Sequence, residues 1–238
     1  MCNGRIFPDR AAAGRELGDR LNQLSLVRPV VLAIPRGGVA TGAALAEVLG
    51  AELDVVLSRK LGAPQQPELA LGAVGEDGSV YHDQSTQAVV APGAAFLARE
   101  IEHQLAEIAR RKTMFRAVRP AAEVKGRSVI VTDDGIATGS TMLAALQTVR
   151  LHQPAELIVA VPVAPPDRLQ PIRAHCDRLV YLEAPQEFYA VGQFYLSFEQ
   201  VSDEEACELL RQQWIASQSR STEANTARPK PIFQQEQS

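Results

Sequence analysis

The chain lacks any apolar run of about 18 residues, the length that a membrane-spanning helix requires. Its opening residues, MCNGRIFPDR, contain no apolar stretch after their charge, so the sequence predicts neither a signal peptide nor a membrane span. Cys2, Cys176 and Cys207 are too far apart in sequence to form a CxxC pair or a disulfide-rich framework. These absences favour a protein of the reducing cytoplasm.

The chain also lacks a strong charge of either sign. Its 238 residues include 24 Lys and Arg and 28 Asp and Glu, which leaves a formal net charge of -4. Nucleic acids and anionic membranes bind proteins through concentrated basic surfaces, so the sequence predicts neither partner. The four histidines show no metal-ligand spacing. Any anion-binding site must therefore be local.

Short apolar runs alternate with helical patterns along most of the chain. This alternation predicts an α/β fold with a parallel sheet flanked by helices, formed by one domain over residues 1–216. The polar, nonperiodic residues 217–238 predict a disordered tail. The predicted strands cover residues 30–34, 53–57, 129–132, 157–163 and 179–182, and the predicted helices cover residues 10–24, 41–49, 92–116 and 140–150.

The residue pattern of residues 61–83 differs from the alternation of strands and helices in the rest of the chain. Pro64, Pro67 and the turn signal Asp77-Gly78 separate two short runs, residues 69–74 and 80–82. Short runs around such a turn are typical of a β-hairpin. The segment therefore predicts a hairpin that projects from the sheet.

The most distinctive segment is VIVTDDGIATGST, residues 129–141. An apolar strand leads into Asp133 and Asp134, and residues 138–141 then precede a helical pattern. Glycine permits close backbone approach, and the amides of a helix N-terminus attract phosphate. Two adjacent carboxylates can accept hydrogen bonds from the vicinal hydroxyls of a sugar or hold a hydrated Mg²⁺. The segment predicts a sugar-phosphate site, with an ordinary turn between strand and helix as the alternative.

The sequence TDDGIATGSTM resembles the binding signature for 5-phosphoribosyl-1-pyrophosphate (PRPP) in type I phosphoribosyltransferases. The resemblance implies a Rossmann-like sheet with a projecting hairpin, which serves as a flexible loop, and a small hood. It implies that Asp133 and Asp134 contact the ribose and Mg²⁺. The implied 5′-phosphate residues are Ala137, Thr138, Gly139, Ser140 and Thr141.

A second anion site is predicted at Pro-Arg-Gly-Gly, residues 35–38, directly after the first strand. Its glycines suit close backbone approach, and its arginine suits a bidentate contact to phosphate, although many such segments are only tight turns. The position resembles the pyrophosphate loop of the family, which implies a cis peptide between Pro35 and Arg36. By this resemblance Arg36, Gly37 and Gly38 bind pyrophosphate, and Arg36 also neutralises it during catalysis.

Further roles follow for the hairpin region. Lys60, after the second predicted strand, is expected to pair with pyrophosphate, with a solvated loop position as the alternative. Ala137 replaces the aspartate that exchanges a proton with the purine in the 6-oxopurine branch, so the turn is nearer that of adenine phosphoribosyltransferases. There a loop glutamate transfers the proton, which makes Glu68 the candidate. Glu76 and Asp77 are assigned to the hairpin turn.

Residues 185–192, which we call the hood segment, resemble the part of purine-specific members that stacks an aromatic ring on the base. Tyr189 takes that place when counted back from Gly192. Phe188 is the alternative, because the register is open by one residue. Both rings could instead pack in the core.

The resulting hypothesis is an Mg²⁺-dependent transfer of ribose 5-phosphate from PRPP to a nitrogenous base, with release of pyrophosphate. The alternatives are a noncatalytic sensor that keeps the PRPP pocket and a hydrolase that acts on a phosphorylated ribose compound. A homodimer is implied by the family alone. The phrases FPDRAAAGRELGDRL, LSRKLGAPQQPELALGAVGEDG and FYAVGQFY resemble a poorly characterised bacterial branch, so the acceptor stays open.

Overall fold

The main sheet of the protein contains five parallel strands. The computed structural model describes residues 5–226, and it describes Pro67, Glu68, Ser85 and residues 220–226 by their backbone alone. The strands of the main sheet are β1 (Val30–Ala33), β2 (Glu52–Val55), β6 (Ser128–Thr132), β7 (Glu156–Val163) and β8 (Arg178–Glu183). Their order across the sheet is β2-β1-β6-β7-β8, which confirms the predicted parallel α/β arrangement.

The strands of this sheet are buried on both faces, as their continuous apolar runs predict. Every residue of β1 and β6 is buried. Side chains of β1 alternate between two apolar clusters, with Val31 and Ala33 on one face and Val30 and Leu32 on the other. The sheet is thus a rigid layer whose strand ends are fixed in place.

Seven helices connect or cover the strands within the described part of the chain: α1 (Arg10–Leu21), α2 (Gly37–Leu49), α3 (Gln84–Val90), α4 (Ala94–Val118), α5 (Ser140–Leu151), α6 (Pro166–Arg173) and α7 (Asp203–Thr226). Asp9 begins α1 by accepting the Ala12 N–H at 2.7 Å, and Gly50 ends α2 in the left-handed region. In residues 5–226 we find no helix with the length and apolar composition needed to cross a bilayer.

A second, antiparallel sheet contains β3 (Ser58–Ala63), β4 (Gln66–Gly75) and β5 (Val80–His82). The pairing of β4 with β5 confirms the predicted hairpin. Strand β3 was not predicted, because the pair Arg59-Lys60 interrupts its apolar pattern. The strand forms because Leu61 and Ala63 are buried in the core while the residues between and before them face outward.

Arg116, near the end of α4, connects the small sheet to the main sheet. Its Nη1 donates to Asp54 Oδ1 at 2.8 Å and its Nε donates to Glu76 Oε2 at 2.9 Å. Asp77 accepts the Ser79 N–H at 3.0 Å within the hairpin turn. The structure therefore agrees with the structural role predicted for Glu76 and Asp77.

The C-terminal helix extends further than the sequence predicted. Ser202 begins it by accepting the Glu205 N–H at 3.0 Å, and the helix continues to Thr226, so the predicted boundary at residue 217 falls inside it. The hydroxyls of Ser217 and Ser219 donate to the carbonyls of Trp214 and Ile215 in the preceding turn, so these polar side chains do not end the helix. Residues 227–238 of the predicted tail lie outside the described residues.

Candidate functional site

The two predicted anion sites meet at one edge of the main sheet. Strand β1 pairs with β6 on one side, with Ala33 opposite Thr132, and with β2 on the other side. The chain leaves β1 through α2 toward β2, whereas β6 lies on the opposite flank, so the two carboxyl ends border a topological switch point. Ligands of open α/β sheets bind in the crevice at such points.

The peptide bond between Pro35 and Arg36 is cis, which confirms the geometry implied by the family resemblance. Gly37 and Gly38 lie in the first turn of α2, whereas the sequence placed the helix start at Thr41 because glycine is a poor helix former. A Cβ on Gly37 would lie 2.0 Å from Asp134 Oδ2, and one on Gly38 would lie 2.9 Å from Asp133 Cα. These glycines are needed because Asp133 and Asp134, which we call the acidic pair, pack directly on α2.

Asp134 is held by two residues that the sequence analysis missed. Arg10 Nε donates to Asp134 Oδ2 at 2.8 Å, and both side chains are largely buried, with exposed fractions of 11% and 15%. The Tyr195 hydroxyl donates to the Asp134 carbonyl oxygen at 2.6 Å. Asp134 N–H in turn donates to Asp133 Oδ1 at 2.8 Å. The acidic pair is therefore oriented by contacts from both the N-terminal and the C-terminal parts of the domain.

Burial raises the pKa of Asp133 well above its usual value, and the charge of the adjacent Asp134 raises it further. The N–H of Asp134 and the guanidinium of Arg10 lower the same pKa by less. Burial and the charge of Asp134 also raise the pKa of Tyr195, so its hydroxyl stays a hydrogen-bond donor at neutral pH. Like charges in one partly dry site oppose the simultaneous ionisation of both carboxyl groups.

The Asp133→Asn variant is expected to melt at a higher temperature than the wild type at pH 7. The folded protein retains a proton on Asp133 at pH values where the unfolded chain has lost it, so stability falls as pH rises through that window. Asparagine does not ionise, and its Oδ1 can still accept the Asp134 N–H. Thermal melts in EDTA at pH 7 and pH 3 measure the difference, which is expected to vanish at pH 3.

Asp177→Asn is the matched control, because the pKa of Asp177 is lowered whereas that of Asp133 is raised. Burial raises the pKa of Asp177 less than the hydrogen bonds from Arg150 and the Leu157 N–H lower it. Its stabilising contribution is therefore present above the unfolded pKa and is lost as pH falls. An Asp133→Asn protein that melts no higher than the wild type at pH 7 would contradict the pKa assignment.

The turn before α5 is shaped to accept an anion. Gly139 adopts φ 82°, a left-handed conformation that favours glycine, and as the N-cap residue it offers no side chain to the helix; the Ser140 N–H makes only a long contact, 3.5 Å, to Thr138 Oγ1. Thr138 Oγ1 and Ser140 Oγ lie 3.1 Å apart, and Ala137, Thr138 and Thr141 are exposed. The structure thus brings the predicted 5′-phosphate residues, 137–141, into one accessible turn at a helix N-terminus.

A cavity of about 440 Å³ opens between the cis peptide, the small sheet and α4. Its basic lining residues are Arg59, Lys60 and Arg111, and Pro35 and Ser140 lie at its border with the two turns. Arg59 Nε donates to Gln104 Oε1 at 2.9 Å. The structure therefore places Lys60 beside the site, together with Arg59 and Arg111.

The Arg36 guanidinium lies near the start of α7 in this structure. Its Nη1 lies 3.9 Å from Asp203 Oδ1 at the start of α7, and its side chain is one-third exposed. The Oδ1 atom of Asp203 is buried and has no hydrogen-bond partner among the described residues. The arginine predicted to neutralise pyrophosphate thus stands at the rim of the site, beside a carboxylate.

The two candidates for base chemistry remain predictions. The Glu68 backbone lies in β4 near the turn that follows β3, and its side chain lies outside the described residues. The Tyr189 ring is 85% exposed, whereas Phe188 packs 5.2 Å from the Phe194 ring, centroid to centroid. Of the two hood aromatics, only Tyr189 is free to contact a base from solvent.

The metal-ligating chemistry of the site is limited to the acidic pair. The residues that the structure describes contain no group of three His, Cys, Asp or Glu side chains placed to hold a metal ion. Mg²⁺ commonly binds one or two carboxylates and takes its other ligands from water and substrate phosphates. Asp133 and Asp134 are suited to hold Mg²⁺ in this way.

Tyr195→Phe is expected to lower the free energy of unfolding by about 1 kcal/mol, because it removes the donor to the Asp134 carbonyl. Ribose 5-phosphate affinity is expected to fall severalfold, since the same bond orients the acidic pair. Urea denaturation and calorimetric titration measure the two effects. Tyr189→Phe, at an exposed ring, is expected to change stability by under about 0.5 kcal/mol; equal effects of the two variants would remove the role of the Tyr195 hydroxyl.

Comparison with known proteins shows the family to which this chain is similar. A family model described as phosphoribosyl transferase domain matches residues 8–199. Two curated Mycobacterium tuberculosis proteins, whose names describe phosphoribosyl transferases and mark the activity as unproven, are each 44% identical over 207 residues. The match covers 87% of this chain and 46% of each relative, so the chain spans about half the length of the curated relatives it matches.

The structure of the TT1426 protein from Thermus thermophilus is also similar to this chain. The two superpose with a TM-score of 0.84 and 44% sequence identity, over 87% of this chain and 98% of the other. The similarity extends over most of the chain, and it confirms the predicted fold.

Proposed function

The chain belongs to the phosphoribosyl transferase domain family, and from that premise we propose that it transfers ribose 5-phosphate from PRPP to a nitrogenous base, releasing pyrophosphate. The observation that carries the proposal is the packing of the acidic pair on the first turn of α2, beside an uncapped α5 N-terminus. The acidic pair suits the ribose hydroxyls, and the α5 N-terminus suits the 5′-phosphate. The pairing of β1 with β6 fixes the first turn of α2 against the acidic pair.

The 5′-phosphate is proposed to bind at residues 137–141. Backbone amides at the start of α5 carry partial positive charge, and Thr138, Ser140 and Thr141 add hydroxyl donors. Gly139 lets the backbone approach the phosphate closely. Asp133 and Asp134 then accept hydrogen bonds from the ribose hydroxyls.

The pyrophosphate is proposed to occupy the cavity beside the cis peptide, which three basic residues and two glutamates line. Lys60, Arg59 and Arg111 supply positive charge there, and Arg36 can turn toward it from Asp203 because its guanidinium is already part exposed. Bound Mg²⁺, held by substrate oxygens and by Asp133 and Asp134, would add further charge neutralisation. Glu100 and Glu107 also line the cavity, so its three cations only slightly outnumber its carboxylates.

The reaction breaks the bond between the anomeric carbon of the ribose and the pyrophosphate oxygen, and it forms a bond from that carbon to a nitrogen of the base. The carboxylates of the acidic pair stabilise the sugar as its anomeric carbon becomes positive, and the cationic side chains stabilise the departing pyrophosphate. The proton on the base nitrogen leaves to a carboxylate or to water, and Glu68 stays the candidate for that step. Tyr189 is proposed to stack on the base.

The test offers PRPP and Mg²⁺ to the protein with a panel of purines, pyrimidines and aromatic amides, and it measures pyrophosphate release. Release that depends on one class of acceptor is the expected result. Tight PRPP binding without turnover on any acceptor would favour the noncatalytic sensor, and release that is independent of the acceptor would favour the hydrolase. The absence of both binding and release would reject the proposal.

A further inference from the structure

The FPDR segment, residues 7–10, has no role in the function proposed above, yet it forms one wall of the ribose site. Phe7 is 1% exposed and forms an isolated parallel bridge with Tyr195, while the two rings pack at 5.7 Å between centroids. Asp9 then caps α1. Because of these contacts, Arg10 is the first residue of α1, and the position of its Cα is fixed.

The Arg10 guanidinium is held by three different partners. Its Nε donates to Asp134 Oδ2 at 2.8 Å, and its Nη1 donates to the Glu199 carbonyl at 2.8 Å. The guanidinium carbon lies 3.8 Å from the centroid of the Phe198 ring. A planar group fixed by a carboxylate, a carbonyl and a ring has one orientation, so it also fixes the carboxylate it contacts.

Two oxygens of the acidic pair have N–H donors within the protein. Asp134 Oδ2 is occupied by Arg10 and packs against Gly37, and Asp133 Oδ1 accepts the Asp134 N–H. Asp134 Oδ1 and Asp133 Oδ2 accept no N–H group or alcohol hydroxyl from the other described residues, and the two carboxyl groups also interact with each other. Two acceptors on adjacent residues match the two vicinal hydroxyls of a ribose.

From this geometry we infer that Arg10 is a positioning residue that makes the site select ribose over 2-deoxyribose. By holding Asp134 Oδ2, it directs the remaining oxygen toward a sugar hydroxyl. A sugar that lacks the hydroxyl bound by Asp134 leaves the carboxylate paired with Arg10 without its donor, and this penalty is the source of the selection. The inference rests on the proposed function, because it assigns a sugar to the same acidic pair.

The test measures the affinity of the full chain for ribose 5-phosphate and for 2-deoxyribose 5-phosphate by calorimetric titration. The wild type is expected to prefer ribose 5-phosphate by about tenfold or more, the effect of one hydrogen bond to a charged group. Arg10→Met is expected to reduce this ratio to within about threefold, with the loss confined to ribose 5-phosphate. Arg20→Met is the matched control, because Arg20 also lies in α1 and donates to a distant backbone carbonyl, that of Tyr181, at 2.9 Å.

Two results would overturn the inference. One is an unchanged ratio in Arg10→Met, and the other is an equal loss of affinity for both sugars, which would show only a structural role. Should Arg10→Met fail to fold, Arg10→Lys keeps the positive charge over Phe198 but lacks the guanidinium fork, so its ratio must still fall below that of the wild type. A wild type that binds neither sugar phosphate nor PRPP would reject the proposed function itself, an outcome distinct from the other two.

Discussion

Asp134→Asn is expected to lower the turnover of PRPP, as kcat/KM, by at least about 100-fold, the combined effect of weakening two hydrogen bonds to a charged group. The amide keeps the size of the carboxylate but loses its charge. Its NH₂ group cannot accept from Arg10 Nε, so the amide either loses that partner or rotates its donor toward the ribose. Pyrophosphate release at saturating Mg²⁺ measures the effect.

Asp177→Asn is the control for this variant. Asp177 also pairs with an arginine, Arg150, at 3.0 Å, but it lies before β8, at the opposite end of the sheet from the acidic pair. Its replacement is expected to leave turnover within about twofold of the wild type, as for surface changes away from a site. Undiminished pyrophosphate release by Asp134→Asn would count decisively against the assignment of the acidic pair.

Gly37→Ala is expected to reduce the affinity for ribose 5-phosphate by a similar factor, although Gly37 carries no chemistry of its own. The added methyl would lie 2.0 Å from Asp134 Oδ2, 2.7 Å from its Cγ and 3.3 Å from Arg10 Nε. Either the carboxylate leaves its position or the first turn of α2 moves, and both changes disturb the acidic pair to which we propose that the ribose binds. Overpacking of this kind also costs about 1–3 kcal/mol of stability, which urea denaturation measures.

Gly93→Ala provides the comparison, because a Cβ on Gly93 would meet nothing within 4 Å. This residue precedes α4 with an ordinary φ of -62°, so its replacement is expected to cost at most about 1 kcal/mol and to leave ligand binding unchanged. If Gly37→Ala bound ribose 5-phosphate as tightly as Gly93→Ala, the close packing of α2 on Asp134 would have no role in binding.

The sequence predicted the main sheet and the turn between β6 and α5 well because their signals are local. The runs that became β1 and β6 are buried on both faces and therefore read as continuous apolar segments. Gly139 follows the acidic pair at the distance that a strand-to-helix turn needs, and its left-handed φ agrees with its residue type. The cis bond before Arg36 followed from the family resemblance, because no local pattern predicts such a bond.

The supporting contacts of the site could not be predicted, because they join residues far apart in the chain. Arg10 and Asp134 are 124 positions apart, and Tyr195 reaches Asp134 across 61 positions. No periodic pattern relates such pairs. The quoted phrases FPDR and FYAVGQFY contain Arg10 and Tyr195, so the signal was present, but its meaning depends on the fold that brings the two segments together.

The direction of Arg36 was equally inaccessible to sequence reasoning. The residue type and position suggested a pyrophosphate contact, whereas the structure places its guanidinium near Asp203 of α7. The competing carboxylate lies 167 positions later in the chain, as the two residue numbers show. A role in pyrophosphate binding therefore requires the side chain to exchange Asp203 for phosphate.

The most direct test of the central claim is a crystal structure of the protein with PRPP and Mg²⁺. The account predicts the ribose hydroxyls on Asp133 and Asp134, the 5′-phosphate on residues 137–141, and the pyrophosphate beside Lys60. PRPP bound away from the acidic pair, or bound there with its 5′-phosphate outside the turn before α5, would contradict it.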